Sequence, residues 1–390
     1  MLDAQAISLV RAGLKSVLAE DDGPESIARS FYAHLFVEHP EFRGFFPAAM
    51  DQQRHRLIRA LEYVIDNLED ATTFLPFLHQ LGRDHRKHGL DGRHFLAAEN
   101  ALVSAFRSFV GTEVWTDSVE AAWRTTFAVV SNSMAAGADS DRMPAYWGAT
   151  VVEHRLALDD LAVIRVQTDG VVPYEPGQYL SVQIPQRPRM WRYLSPAIPT
   201  NDHGGIEFHV RRVSGGWVSP AMVSDIAIGD RWLVGPPLGG LSVDTSPGCE
   251  DVLMIAGGTG LAPLRSQLMA MAMRSRNPRV HLFVSGQYPS DLYDIDTLWH
   301  LAQTNPWLTV VPVVEETEEP WWRPGSSRDI PRGLNHLQVG KVGQVVTRYG
   351  SWADRQIQIC GSPAMVRSTM YALRLVGTPV EHIQFDPIGG

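Results

Sequence analysis

Apolar positions in the first third of the chain recur at intervals of three and four, as in Leu57, Leu61, Val64 and Leu68, or Val119, Trp123, Phe127 and Val130. This is the period of a helix with one buried face, so the stretch up to about residue 137 is expected to be all helix. Near Pro144 the pattern shortens to alternating runs, VVEHRLAL, LAVIRVQT and GIEFHVRRV, parted by Gly- and Pro-bearing turns, which predicts an antiparallel β-barrel. Beyond residue 250 the runs VLMIAGG, VHLFVSG, LTVVPVV and IQICGS are continuously apolar and alternate with helical stretches. That is the signature of parallel strands buried on both faces of an α/β layer. The expected organisation is multidomain: an all-α domain over 1–147, an antiparallel barrel over 148–246 and a parallel-sheet α/β domain over 247–390. The polar, proline-broken segment 315–333 is expected to be a surface loop.

Composition narrows the function classes. The length of 390 residues suits two or three domains at roughly 100–200 residues each. A formal charge of -9, from 34 basic and 43 acidic residues, disfavours nucleic acid and anionic membranes as partners. No apolar run approaches a membrane span, and MLDAQAISLVRAGLK reads as an amphipathic helix, so a cytoplasmic protein without an integral membrane segment is expected. Cys249 and Cys360 are the only cysteines, too few for a disulfide framework or a cysteine-ligated metal. Any metal must come with other ligands.

Candidate chemistry begins in FLPFLHQLGRDHRKHG, where Pro76 suits a helix start and Gly89 a stop, and Phe74, Leu78, Leu81 and His85 fall on one face. An inward imidazole is either a satisfied core histidine or a ligand, with His88 on the flank of the same face as the other candidate. Gln53, Leu57 and Leu61 share a face of another helix, which positions an amide donor to oppose His85 across a slot. Tyr32 is the polar member of a further apolar face, and Phe46 lies at the corner that follows it.

The series SFYAHLF, HPEFRGFF, QRHRLIRAL, HRKHGLDGRHF and AWRTTF, followed by a flavin reductase pattern, resembles the flavohaemoglobins over the whole chain. The resemblance implies haem b with His85 as its proximal iron ligand, Tyr32 and Gln53 as distal hydrogen-bond donors, and Phe46 packed against the porphyrin. Two departures stand out. The family's proximal tyrosine matches Phe95, and its proximal glutamate falls among the small residues of SNSMAAGADSD. With neither acceptor for its second ring nitrogen, His85 is expected to be a weaker electron donor, which counts against fast nitric oxide dioxygenation.

The middle third is similar to the ferredoxin reductase barrel. Arg192, Tyr193, Leu194 and Ser195 match its flavin motif: Arg192 would hold the FAD pyrophosphate, and Ser195 would reach the ring. The motif tyrosine matches Leu194, while Tyr193 is expected on the other side of the strand. Gly215, Gly216, Val218 and Ser219 match the family's second pyrophosphate loop, which with GPPLGG completes the implied FAD site. Further on, Gly257, Gly258, Thr259 and Gly260 make a strand-to-helix turn with Pro263 in the first helical turn, a place for a nucleotide phosphate to approach backbone N–H groups. Cys360 and Gly361 resemble the family's nicotinamide-side element; Cys360 read alone is equally a small buried residue at a strand end. The family's closing aromatic matches Ile388, leaving Phe385 as the nearest aromatic. NADH or NADPH is the implied donor, with VSGQYPSD leaning toward NADH.

The expectation is a flavohaem oxidoreductase passing electrons from a reduced donor through FAD to haem iron that binds O2 and NO. Two rival readings keep the cofactors: a donor such as a hydroxy acid, D-lactate for example, prompted by Leu194 and Ile388, or a haem-based redox or gas sensor, prompted by the missing proximal acid.

Overall fold

The computed structural model describes residues 3–323 and 330–386. The chain divides into two compact units, Met1–Tyr146 and Trp147–Gly390.

The first unit is built from α1 (Ala4–Leu18), α2 (Gly23–Glu38), α3 (Asp51–Asp66), α4 (Ala71–His85), α5 (Gly92–Val110) and α6 (Asp117–Ser140), with a 3-10 turn at Pro40–Phe45. Their apolar stripes meet in one core around Ile27, Phe31, Ile65, Leu78, Phe106, Trp123 and Phe127. Helix α4 starts earlier than Pro76 suggests. The Asp70 side chain accepts the Thr72 N–H at 3.0 Å and so caps the helix at Ala71, leaving Pro76 inside it. Gly89, in the left-handed region at φ 76°, stops the short turn that follows.

Helices α4 and α6 pack backbone against backbone. A Cβ on Gly82 would lie 2.0 Å from the Met134 carbonyl oxygen, and one on Gly137 would lie 2.4 Å from that of His79. Gly82→Ala is therefore expected to force the helices apart and lower the stability of this unit by about 1–3 kcal/mol. Thermal loss of helical circular dichroism at an unchanged midpoint would contradict this.

The second unit begins with β1 (Trp147–Leu158), β2 (Leu161–Thr168), β3 (Tyr179–Gln183), β4 (Arg192–Leu194), β5 (Gly205–Arg211), α7 (Val218–Ser224) and β6 (Arg231–Leu238). These strands form an antiparallel sheet in the order β4-β3-β6-β1-β2-β5. A bridge between Pro196 and Phe208 and the Ala197 N–H donating to the Glu207 carbonyl at 2.8 Å join the segment after β4 to the edge strand β5, so the antiparallel sheet curls.

There follow β7 (Asp251–Gly257), α8 (Leu261–Ala272), β8 (Val280–Gly286), α9 (Ile295–Thr304), β9 (Leu308–Val314), β10 (Gln338–Val339), α10 (Val342–Thr347), β11 (Arg355–Cys360), α11 (Pro363–Leu375) and β12 (Ile383–Gln384). The strands are parallel in the order β10-β9-β8-β7-β11-β12. Val252, Met254 and Ala256 of β7 face one buried cluster, and Leu253 and Ile255 face the other, so the strand is apolar throughout. The chain moves outward from β7 through β10 and then returns to β11 on the other side of β7. The crevice at the carboxyl ends of β7 and β11 is thus the sheet's topological switch point, where open α/β sheets bind ligands. In the loop after β9, Trp321 is exposed, while Arg323 donates to Asp291 at 2.9 Å; residues 324–329 lie outside the described residues.

Candidate functional site

In the first unit His85 is the last residue of α4, and its ring is partly exposed. Its Nδ1 lies 2.6 Å from the Leu81 carbonyl oxygen. A carbonyl can only accept, so Nδ1 carries the proton and Nε2 keeps its lone pair. The sequence reading left this second nitrogen without an acceptor; the backbone supplies one, weaker than a carboxylate. Burial lowers the His85 pKa, opposed in part by the Leu81 hydrogen bond, so the ring is neutral near pH 7. Phe95, where the family's tyrosine is expected, packs edge-on against His85 at 6.1 Å. The His88 ring is 6.2 Å from that of His85. Burial first, then the charges of His85 and Lys87, pushes His88 down to about 3.

Tyr32 of α2 meets Phe46 edge-on at 5.3 Å, and Phe36 completes the aromatic group. Burial raises the Tyr32 hydroxyl well above its ordinary value, the charge of Arg54 opposing. The hydroxyl keeps its proton and makes no hydrogen bond to another described residue, which leaves an O–H donor without a partner among them. Gln53, in the first turn of α3 and half-buried, likewise has no hydrogen-bond partner among the described residues. An imidazole lone pair on α4 and unpartnered hydroxyl and amide donors on α2 and α3 are the chemistry that a haem and a polar diatomic ligand would use. Among the described residues no group of three or more His, Cys, Asp or Glu side chains is placed to hold a bare ion.

In the second unit, pairing of β3 with β4 sets Leu194 opposite Leu180, Tyr193 opposite Ser181 and Arg192 opposite Val182. Arg192 and Leu194 therefore share one face, and Tyr193 turns to the other, its ring edge-on to Tyr179 at 5.1 Å. The Arg192 guanidinium donates to the Trp191 carbonyl at 2.8 Å, and Ser195 follows β4 half-buried. Gly215, in the left-handed region at φ 72°, and Gly216 form an exposed turn. Ser219 closes it by accepting the Val213 N–H at 3.0 Å. Val218 is buried, so only its backbone is available to a ligand.

At the switch-point crevice Gly257 ends β7, and Gly258, Thr259 and Gly260 form a 3-10 turn into α8; Pro263 is buried in the first helical turn. A Cβ on Gly260 would stand 2.3 Å from the Cys360 carbonyl oxygen, so the turn and the end of β11 touch directly. Gly361 abuts the Met365 sulfur. Burial pushes the Cys360 thiol well above its ordinary value, which makes it a protonated wall rather than a nucleophile. Phe385 follows β12 and is 40% exposed. Asp386, which the sequence reading did not single out, approaches the Gly240 N–H at 3.4 Å, so the chain's end returns to the GPPLGG loop. Ile388 lies outside the described residues. The flavin motif and the nucleotide turn are thus parts of one unit, the arrangement a flavin reductase needs.

A globin family model matches residues 29–134, an oxidoreductase FAD-binding domain 149–242 and an oxidoreductase NAD-binding domain 254–370. A flavohemoprotein of Rhodopirellula baltica is 22% identical over all of this chain and 98% of its own length. The chain belongs to the flavohaemoprotein family. The flavohemoglobin of Malassezia yamatoensis, solved with FAD and heme, shares the fold along the full length of both chains with a TM-score of 0.77 at 14% identity. The ferredoxin–NAD(P)+ reductase CarAd of Metapseudomonas resinovorans is 31% identical over 61% of this chain and 68% of its own. This flavohaemoprotein is accordingly an oxidoreductase whose cofactors are haem, FAD and a nicotinamide nucleotide. No helix among the described residues is long and apolar enough to cross a membrane.

A buried ionic cluster that no sequence motif marks joins the two halves of this unit. Glu207 and His209 of β5 are 2% and 5% exposed. Glu207 Oε1 accepts from Arg265 of α8 at 2.6 Å and from His209 Nε2 at 3.0 Å, while Oε2 accepts from Arg165 at 2.6 Å. The Tyr293 hydroxyl meets His209 Nδ1 at 2.7 Å. The signal was there: two polar residues in the otherwise apolar run GIEFHV.

Proposed function

We propose that this flavohaemoprotein oxidises nitric oxide to nitrate in the cytoplasm, using electrons drawn from NADH or NADPH. When bound, FAD turns a hydride pair into single electrons and haem supplies an iron that binds diatomic gases. The protein's own residues do the rest. His85 offers Nε2 because Leu81 holds the proton on Nδ1. Tyr32 presents an O–H that can donate to a diatomic ligand carrying partial negative charge, and Gln53 can add its amide. Phe36 and Phe46 exclude water around the Tyr32 ring. At the other site the Gly257–Gly260 turn offers backbone N–H groups to a phosphate, and Cys360 walls the crevice without competing as a nucleophile.

The observation that carries the reading is the Leu81 hydrogen bond that leaves His85 Nε2 with its lone pair, in the same helical core as a Tyr32 hydroxyl without a partner among the described residues. Because the Leu81 carbonyl is a poorer acceptor than a carboxylate and Phe95 offers none, turnover is expected to be slower than a tyrosine–glutamate pair would allow.

The test is aerobic consumption of nitric oxide with NADH or NADPH. One NO, one O2 and one electron give one nitrate, so two nitrates should form for each nicotinamide oxidised. Tyr32→Phe, which removes the donor, should slow this by about tenfold or more. Saturable gas binding without nitrate formation would support a sensor instead, and flavin bleaching by a 2-hydroxy acid but not by NADH or NADPH would replace the donor.

A further inference from the structure

Arg265 occupies the second turn of α8, the helix that opens at the Gly257–Gly260 turn. It is 7% exposed, and its guanidinium reaches in three directions. One nitrogen donates both to the Ala197 carbonyl at 3.0 Å and to Glu207 at 2.6 Å; its Nε lies 3.0 Å from the Asp294 carboxylate. Ala197 lies two residues beyond Ser195, and its N–H is held by the Glu207 carbonyl. One buried cation thus ties the end of the flavin strand, the strand β5 beside it and the start of α9 to the helix that carries the nucleotide turn. A guanidinium can do this because its donors are fixed in a planar fork, whereas an ammonium is a point charge on a flexible stem.

We infer that Arg265 is a positioning residue that sets the spacing between the flavin strand and the nucleotide turn, and with it the alignment of nicotinamide and flavin. This rests on the reading of Arg192–Ser195 as flavin-binding and Gly257–Gly260 as nucleotide-binding. The step that senses the spacing moves one hydride from the dihydronicotinamide ring to the flavin; a C–H bond of the nicotinamide breaks, the nicotinamide loses two electrons, and the flavin gains them together with a proton from solvent. A displacement of about 1 Å between reacting groups can cost on the order of a hundredfold in rate.

The test uses Arg265→Lys and Glu207→Gln in the full-length holoprotein. For Arg265→Lys the inference predicts unchanged FAD content, a weakened long-wavelength charge-transfer absorbance when NAD+ is added to the reduced protein, and flavin reduction by NADH slowed by about tenfold or more. The KM for NADH should stay within about twofold, since ground-state binding is untouched. Reoxidation of the photoreduced flavin by ferricyanide, which needs no nicotinamide, should keep its rate. Glu207→Gln, which keeps an acceptor for Arg265 but removes the charge, should fall between Arg265→Lys and the unsubstituted protein. Unchanged absorbance and reduction rate in both variants would overturn the inference, as would loss of FAD from both, since Arg265 would then be holding the flavin rather than the spacing. If the unsubstituted protein is itself not reduced by NADH or NADPH, the nucleotide reading fails first and takes the inference with it.

Discussion

His85→Ala is expected to purify with its flavin but without a Soret band. Three features hold the imidazole in place: Leu81 fixes the proton on Nδ1, burial keeps the ring neutral, and the close packing of α4 on α6 at Gly82 and Gly137 fixes the backbone that carries it. Losing the outer partner of a metal ligand alone typically costs about ten- to a hundredfold in affinity, so losing the ligand should cost at least that. Haem content per FAD is the readout, and added imidazole should restore part of it. His88→Ala, which removes the neighbouring ring, should retain haem. The reverse pattern, haem lost with His88 and kept without His85, would transfer the axial role to residue 88.

Glu207→Ala carries the other large effect. It leaves Arg265 buried and its guanidinium without its closest carboxylate, which should destabilise the Trp147–Gly390 unit by about 3–5 kcal/mol. Replacing both charges together, as Glu207→Leu with Arg265→Met, should recover part of that loss, because the buried guanidinium leaves with its closest carboxylate, while Asp294, His209 and Arg165 each lose one partner. The effect depends on pH with a definite sign. Burial by itself would raise the Glu207 carboxyl, but the His209 hydrogen bond, the Arg265 charge and the Arg165 hydrogen bond outweigh it and hold the carboxyl well below the usual range. A carboxylate depressed in the folded state stabilises above its unfolded value of about 4.3 and loses that contribution as pH falls below it. Urea unfolding at pH 7 and again below pH 4 should therefore show the gap between the native protein and Glu207→Ala narrowing in acid. A gap that stayed constant would contradict the assignment of charge to Glu207.

Much of the fold could be read because its periods are unambiguous. Leu61 and Val64, or Trp123 and Phe127, repeat at helical spacing and are buried in the first core, and the apolar run at 252–256 and the one at 280–284, broken only by His281, are strands covered on both sides. What escaped depends on contacts distant in sequence. Pro76 suits a helix start because proline favours one, yet Asp70 caps the helix first. Gly82 and Gly137 look like weak points within their helices, and their purpose shows only when each meets a backbone carbonyl of the other helix. Glu207 and His209 sit on the strand face that an isolated barrel would turn to water; α8 and the segment around Tyr293 cover it, and Arg265 completes the pairing. At the candidate haem site the residue types were legible, but the acceptor for His85 was a backbone carbonyl one helical turn back, which carries no side-chain signature.

On the proposed function, reducing equivalents entering at the nucleotide turn should reach iron held by His85. Anaerobic titration of the purified protein with NADH, and in parallel with NADPH, followed across the flavin and Soret bands, tests it most directly. Bleaching of the flavin followed by a shift of the Soret band to its ferrous position, with carbon monoxide then binding the reduced iron, is the predicted result. A flavin that bleaches while the Soret band stays ferric, or a protein that carries no Soret band when supplied with haem, would contradict it.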